Sequence, residues 1–210
     1  MTDPLSFRIK KKIDRYIHDP IVALIILPFF LILKILPFKI SSLICGSLVY
    51  LIAPFTKYQK RVLNNLNIAF PQKKEAEKIK ISKRFWFNFG QIIGELPHID
   101  KIISSKKILI SGHKKIQKGP AILIGAHLAN WEFLLRVGEM SGRRVSFVYR
   151  PINNWILNKL QFSRNSKINA DFFKKGRAAA IGMANKLKKG EVIGLTNDQI
   201  LREGLSLIHI

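Results

Sequence analysis

Apolar positions follow two rhythms along this chain, long continuous blocks at the start and short runs spaced by polar turns after about residue 120. The first block is unbroken from Ile21 to Leu33, and Lys34 then interrupts it before Ile35 to Phe38 resume. Thirteen residues are fewer than the roughly 20 that a bilayer-spanning helix needs. Including Lys34, whose long stem lets its ammonium reach the interface, extends the segment to Phe38. The pattern therefore predicts one N-terminal membrane helix, residues 21–38, behind a basic segment, residues 1–20, that carries Arg8, Lys10, Lys11, Lys12 and Arg15. A secretory signal could begin this way, but no small-residue cleavage site follows cleanly. A second apolar patch, Leu43 to Phe55, is broken by Gly46 and Pro54 and reads as a segment lying at the interface or against the domain.

Between Lys57 and Lys83 the chain turns cationic. Lys73, Lys74, Lys78 and Lys80, interleaved with Glu75 and Glu77, predict an exposed helix with some side-chain pairing. Its functional alternative is a docking surface for anionic headgroups or an acidic carrier protein. Phe85, Phe89, Ile92 and Ile93 then recur at helical spacing and are expected in the core. Glu95 is a possible second acid near a pocket, though nothing in its spacing turns it inward.

The later rhythm is that of short buried strands alternating with helices. Ala121–Ile124, Val145–Tyr149, the run Ile168–Phe173 and Glu191–Thr196 read as strands, with an amphipathic helix from Ala178 to Lys188 stopped by Gly190. Such alternation predicts an α/β fold whose sheet is mainly parallel or mixed and flanked by helices. The main folded domain is expected over residues 39–204.

The most informative stretch is Ala121-Ile122-Leu123-Ile124-Gly125-Ala126-His127-Leu128-Ala129-Asn130-Trp131-Glu132, read as strand, turn and helix start, with the strand buried. It delivers His127 to the carboxyl end of a sheet, where open α/β sheets place ligands. On one regular helix, residues five apart diverge by about 140°. His127 and Glu132 can therefore cooperate only if the histidine sits in the turn and the glutamate in the first helical turn. An imidazole oriented by a carboxylate takes a proton from a hydroxyl and is stabilised as imidazolium while the oxygen attacks a carbonyl, which is acyl transfer to an alcohol. Arg150 leaves a strand and is held extended by Pro151, a placement suited to a phosphate or a developing oxyanion. Asp198 closes another strand on the same edge, where it could support either the histidine or the acceptor. Gly176-Arg177 at a helix start is a further candidate phosphate contact.

Composition limits the partners. The chain has 210 residues, enough for one domain with a real core, and is 48% hydrophobic yet 23% charged. Its 36 Lys and Arg against 13 Asp and Glu give a net charge of +23, which calls for polyanionic surroundings: nucleic acid, an anionic membrane face or an acidic partner. A lone Cys45 excludes an internal disulfide and a cysteine-based zinc site, and no metal or redox cofactor is implied.

His127 and Glu132 with Asn130 and Trp131 between them resemble the His-x4-Asp/Glu motif of the glycerolipid acyltransferase superfamily. The nearer resemblance is to the late acyltransferases of lipid A biosynthesis, the lauroyl/myristoyl transferases of Gram-negative bacteria. Three stretches agree in order: Asn65-Leu66-Asn67-Ile68-Ala69-Phe70-Pro71, Tyr149-Arg150-Pro151-Ile152-Asn153-Asn154, and Asn197-Asp198-Gln199. The resemblance implies an O-acyltransferase in which acyl carrier protein donates and a lipid A precursor accepts. His127 would be the base oriented by Glu132, with Arg150, Asn153, Asn154, Arg177, Asp198 and Gln199 as substrate contacts. It also implies residence at the bacterial inner membrane with the catalytic domain on the cytoplasmic face. Charge alone does not set that orientation, because Lys39, Lys57, Lys60 and Arg61 make the far flank basic too.

The expected partners are thus acyl carrier protein, the lipid A precursor and anionic membrane lipids, with no nucleic acid. Three rival readings stand beside this one: an acyltransferase of another glycerolipid or phospholipid, a basic RNA-binding protein, and a membrane scaffold without catalysis. Family members usually continue past the Glu203-Gly204 position with a Val-Pro-Phe-Phe-Gly-like stretch, whereas this chain reads Leu205-Ser206-Leu207-Ile208-His209-Ile210. That departure raises the expectation of a shortened frame or a non-native end, with weak activity and aggregation. Acyl chain length, acceptor position and oligomeric state are not legible.

Overall fold

The computed structural model describes residues 12–105, 108, 111–112, 116, 118–165, 168–196 and 198. Arg8, Lys10 and Lys11 of the basic segment, Asn197 and Gln199 of the last motif, and the tail from Leu205 lie outside the described residues. Two compact units emerge from the contacts, one over Ile26–Ile108 and one combining Met1–Ile25 with Leu109–Ile210.

Helix α1 (Asp19–Ile35) follows a π-turn over Asp14–His18, and together they form a 22-residue apolar helix long enough to cross a bilayer. It starts earlier than the expected Ile21 and stops at Ile35 rather than Phe38. Pro37 explains the stop, because it disfavours helical geometry at Leu36 and then precedes the first residue of α2 (Phe38–Ile52). Helix α2 runs through Gly46 without the expected break, and a 3-10 turn over Ala53–Phe55 accommodates Pro54. After it come α3 (Lys57–Ala69), α4 (Glu75–Glu95) and, beyond a turn at Leu96–His98, α5 (Ile99–Ser104).

Helices α2 and α4 run antiparallel at very close range. A Cβ added at Gly90 would fall on the backbone of Cys45, and one at Gly94 on the backbone of Ser41. The Ser41 hydroxyl donates to the Gly94 carbonyl at 2.6 Å, and Ser42 Oγ donates to Glu95 Oε1 at 3.2 Å. Gly90 and Gly94 form a Gly-x-x-x-Gly face, a pattern that lets helix backbones approach closely. This choice of face corrects two expectations. Trp86, Gly90 and Gly94 are turned inward at steps of four, which leaves Phe85 and Phe89 exposed rather than in the core. Lys78, expected on a solvated face, is buried because it shares the face of Ser82 and Trp86. Gln59 of α3 joins the same layer, accepting from Trp86 Nε1 at 2.6 Å and donating to Ser82 Oγ at 3.0 Å. Buried His98 meets the Leu33 carbonyl through Nε2 at 2.8 Å, fixing the last turns of α1 within this unit.

In the other unit four strands form an all-parallel sheet: β1 (Ala121–Gly125), β2 (Val145–Tyr149), β3 (Ala170–Lys174) and β4 (Val192–Thr196). Their order is β1-β4-β2-β3, so the last strand in sequence lies between the first two. Val145, Phe147, Ile168, Ala170 and Val192 make the core. Helices α6 (Val137–Ser141), α7 (Trp155–Asn165) and α8 (Arg177–Lys188) connect the strands, and α8 packs against β2, β3 and β4. The fold class is α/β with a helix-flanked parallel sheet, as the alternation predicts. One expectation fails. Strand β1 alternates rather than being buried throughout, with Ile122 and Ile124 exposed, because it stands at the edge of the described sheet.

The start of the N-terminal helix is tied to this unit. In the π-turn the Asp19 N–H bonds the Asp14 carbonyl, five residues back. The next donor in that register would be Pro20, which has no N–H. The Arg15 carbonyl is met instead by the Trp155 indole N–H at 3.0 Å. Asp19 completes the junction, accepting from Asn154 Nδ2 on its carbonyl at 2.8 Å and from the Trp155 N–H on its carboxylate at 3.2 Å.

Candidate active site

Strand register brings together two residues that stand 71 positions apart in sequence. Gly125 pairs with Thr196 at the last rung of β1 and β4. His127 and Asp198 each lie two residues further on, so the parallel ladder delivers them side by side at the carboxyl edge of the sheet. The Asp198 carboxylate grips the histidine twice: Oδ1 lies 2.8 Å from ring Nδ1, and Oδ2 accepts the His127 backbone N–H at 2.7 Å. That double contact fixes both the backbone of the turn and the imidazole. The histidine ring bond, then the histidine backbone bond, hold the Asp198 carboxyl below the usual carboxylate range. With Nδ1–H donated to the carboxylate, the lone pair of the neutral ring resides on Nε2.

The turn itself is built for this display. Ala129 takes a left-handed backbone at φ +47°, uncommon for a residue with a side chain and a form of local strain that concentrates at functional sites. Asn130 then caps a 3-10 helix over Trp131–Arg136, its Oδ1 accepting the Glu132 N–H at 3.2 Å. Glu132 thus occupies the first turn of the helix after the histidine, the position its spacing requires. The Trp131 and His127 ring centroids are 5.3 Å apart, so the indole flanks the imidazole. Gly125 keeps the strand end open for this helix, since a Cβ there would collide with the Leu134 side chain at 2.7 Å.

The remaining predicted residues distribute along the same edge in strand order. Arg150 follows the last residue of β2, next to β4, and is exposed. Arg177 is exposed at the first position of α8, just past the end of β3. The edge therefore reads His127, Asp198, Arg150, Arg177 from one side of the sheet to the other. Asn153 is exposed beyond Arg150. Asn154 is buried: its Oδ1 accepts the N–H groups of Ile156 and Leu157, both at 3.1 Å, which caps α7 while its amide holds Asp19. The contact that sequence reasoning left open is Asp198 to His127. Its signal was the equal two-residue offset from two strand ends, which becomes readable only once the strand order is known. Among the described residues, no group of three or more His, Cys, Asp or Glu is placed to hold a metal ion.

A histidine held by a carboxylate, with exposed Arg150 and Arg177 further along the same edge, is an arrangement compatible with attack by a hydroxyl of an anionic acceptor on an activated acyl group. No curated protein matches the chain. The family model described as bacterial lipid A biosynthesis acyltransferase does match, over residues 8–207, nearly the whole sequence. The chain belongs to the bacterial lipid A biosynthesis acyltransferase family.

Proposed function

We propose that this acyltransferase moves a fatty acyl chain from acyl carrier protein to a hydroxyl of a lipid A precursor, with His127 as general base. The acceptor hydroxyl gives its proton to His127 Nε2 as its oxygen attacks the thioester carbonyl. The tetrahedral intermediate then expels the carrier thiolate, which takes the proton back from the imidazolium, leaving an ester and a free thiol. Asp198 keeps Nδ1 protonated and stabilises the imidazolium. Glu132, in the first turn after the histidine, supplies a second carboxylate that favours the charged ring. Arg150 binds anionic oxygens of the acceptor, with Asn153 and Arg177 further along the same edge. The observation that carries this reading is the double contact between His127 and Asp198 at the carboxyl edge.

The long apolar N-terminal helix supports a place at the inner membrane, with the sheet unit on the cytoplasmic face. Acyl carrier protein is acidic, and a chain of net charge +23 favours its encounter. The test is transfer of labelled acyl chain from acyl carrier protein to lipid A precursor by the wild-type, His127→Ala, Asp198→Asn and Glu132→Gln chains. A general base contributes roughly 10²–10⁴-fold, so a His127→Ala rate within about tenfold of wild type overturns the mechanism.

A further inference from the structure

Within the helical unit, α2 and the 3-10 turn that continues it have two unlike faces. Ser41, Ser42, Cys45, Gly46 and Ala53 are buried, the first four of them on the side that meets α4. On the opposite side Ile40, Leu43, Ile44, Leu48, Leu51 and Phe55 form an exposed apolar stripe at helical spacing, with Phe55 91% exposed. Water is a poor neighbour for a stripe of this length. The ends of the helix are cationic: Lys39 at its start, and Lys57, Lys60 and Arg61 just past its end, all exposed. Lys83 of α4 lies 5.8 Å from the Tyr50 ring centroid, adding a cation beside an aromatic ring of the kind found at headgroup level.

We propose that α2 lies flat in the interface of an anionic bilayer, its Leu43–Phe55 stripe in the acyl boundary and its flanking Lys and Arg residues among the headgroups. Two observations fix this occupant. Helix α1, the apolar helix proposed to lie in the membrane, ends at Ile35, with only two residues between it and Phe38, so α2 continues directly from that apolar segment. The flanking charge is uniformly positive, which matches anionic lipid. Together with the 3-10 turn over Ala53–Phe55, α2 is long enough to cross a membrane. Its packing partner argues against crossing, because α4 would carry Lys83, Arg84, Asn88, Gln91 and Glu95 into hydrocarbon alongside it. One apolar face backed by a polar-containing helix is the arrangement of an interfacial segment. The inference rests on the membrane placement of α1 and is independent of the catalytic assignment.

The experiment uses the full chain with Cys45→Ser, reconstituted into phosphatidylcholine vesicles with or without a minority of phosphatidylglycerol. Single cysteines at Leu43, Leu51, Phe55 and, as a reference on α1, Leu31 carry a fluorophore whose quenching by lipids brominated at defined depths reports insertion. Near-native far-UV dichroism of each variant is required for its reading to count. The expected result is one common shallow depth for Leu43, Leu51 and Phe55, about 5–10 Å into the headgroup and acyl boundary. Phosphatidylglycerol should strengthen quenching at Phe55, and Lys57→Glu with Lys60→Glu should remove that gain. A depth changing steadily from Leu43 to Phe55 would mean a spanning helix and overturn the proposal. So would aqueous exposure of all three while Leu31 is quenched, or indifference to phosphatidylglycerol. If Leu31 is itself unquenched, the membrane placement of α1 falls with it.

Discussion

The two edges of the parallel sheet use the same residue types for opposite ends. At the amino edge Arg143, Arg144 and Lys186 are engaged by the fold itself. Arg143 donates to the carbonyls of Ile116 at 2.8 Å, Gly119 at 2.6 Å and Gly190 at 2.6 Å. Arg144 donates twice to Asp171 Oδ1, while Lys186 bridges Asp171 at 2.7 Å and Glu191 at 2.8 Å. At the carboxyl edge Arg150 and Arg177 stand exposed, and the one acid described at a strand end, Asp198, holds a histidine rather than an arginine. An arginine stapled to several carbonyls fixes backbone; an arginine at the mouth of a strand offers its donors to a ligand. Composition cannot tell these apart, whereas position relative to strand direction does.

The sharpest way to break the comparison is at His127. His127→Ala should lower kcat by roughly 10²–10⁴-fold with little change in the melting temperature, since the ring stands at an edge rather than in the core. A comparable loss of folded protein would mean that the residue supports structure instead. Asp198→Asn should follow closely, because an amide can orient Nδ1 but supplies no charge to stabilise the imidazolium; roughly 10²-fold or more in kcat is expected. Glu132→Gln then ranks the carboxylates: a smaller loss assigns the brace to Asp198, and a larger one assigns it to Glu132. The pH profile adds a sign. Because Asp198 is held below the usual carboxylate range, it stays ionised as the pH falls to that range. An acid limb at mildly acidic pH that tracks Asp198 would therefore contradict the assignment.

Smaller effects separate the two edges directly. Arg150→Ala should lower kcat/KM for a phosphorylated acceptor by roughly 10- to 100-fold, the equivalent of about 1.5–3 kcal/mol for a hydrogen bond to a charged group. Most of that should appear in KM, and Arg150→Lys should restore part of it. Arg144→Ala, at the amino edge, should leave KM unchanged. Equal effects of the two substitutions would mean that the edges do not differ in function.

Much of this was legible before the structure, and the failures have physical causes. Strands β2 and β4 are readable because their apolar runs are bounded by polar residues and glycines, and the end of α8 because Gly190 stops it. The helical unit misleads because close helix packing inverts the usual rule. Where backbones touch, the inward residues are glycine and serine, so the large side chains at Phe85 and Phe89 point outward and apolar spacing marks the wrong face. Strand β1 misleads for a different reason, since an apolar run does not disclose whether its strand is central or at an edge. His127 was found through its setting of strand, turn and glutamate. Its contact with Asp198 was hidden because the partner arrives through sheet order, a long-range property that no local pattern encodes.

The mildest test addresses the amino edge. Arg144 first, and Lys186 after it, hold the Asp171 carboxyl below the usual carboxylate range, against a desolvation that acts the other way. A carboxyl whose folded value is depressed contributes stability at pH values above its unfolded value and loses it as the pH falls through the folded one. Asp171→Asn should therefore lower the melting temperature at neutral pH and progressively less in acid, where the wild-type carboxyl is itself protonated. The side chain is a quarter exposed, so solvent screening keeps the effect small, roughly 2–4 °C at neutral pH. The substituted chain should keep its kcat at the growth temperature, because the carboxyl edge does not depend on this charge. A gap in melting temperature that fails to close with acidification would show that Asp171 acts through packing. A fall in kcat without a fall in melting temperature would show that the two edges communicate through the strands between them.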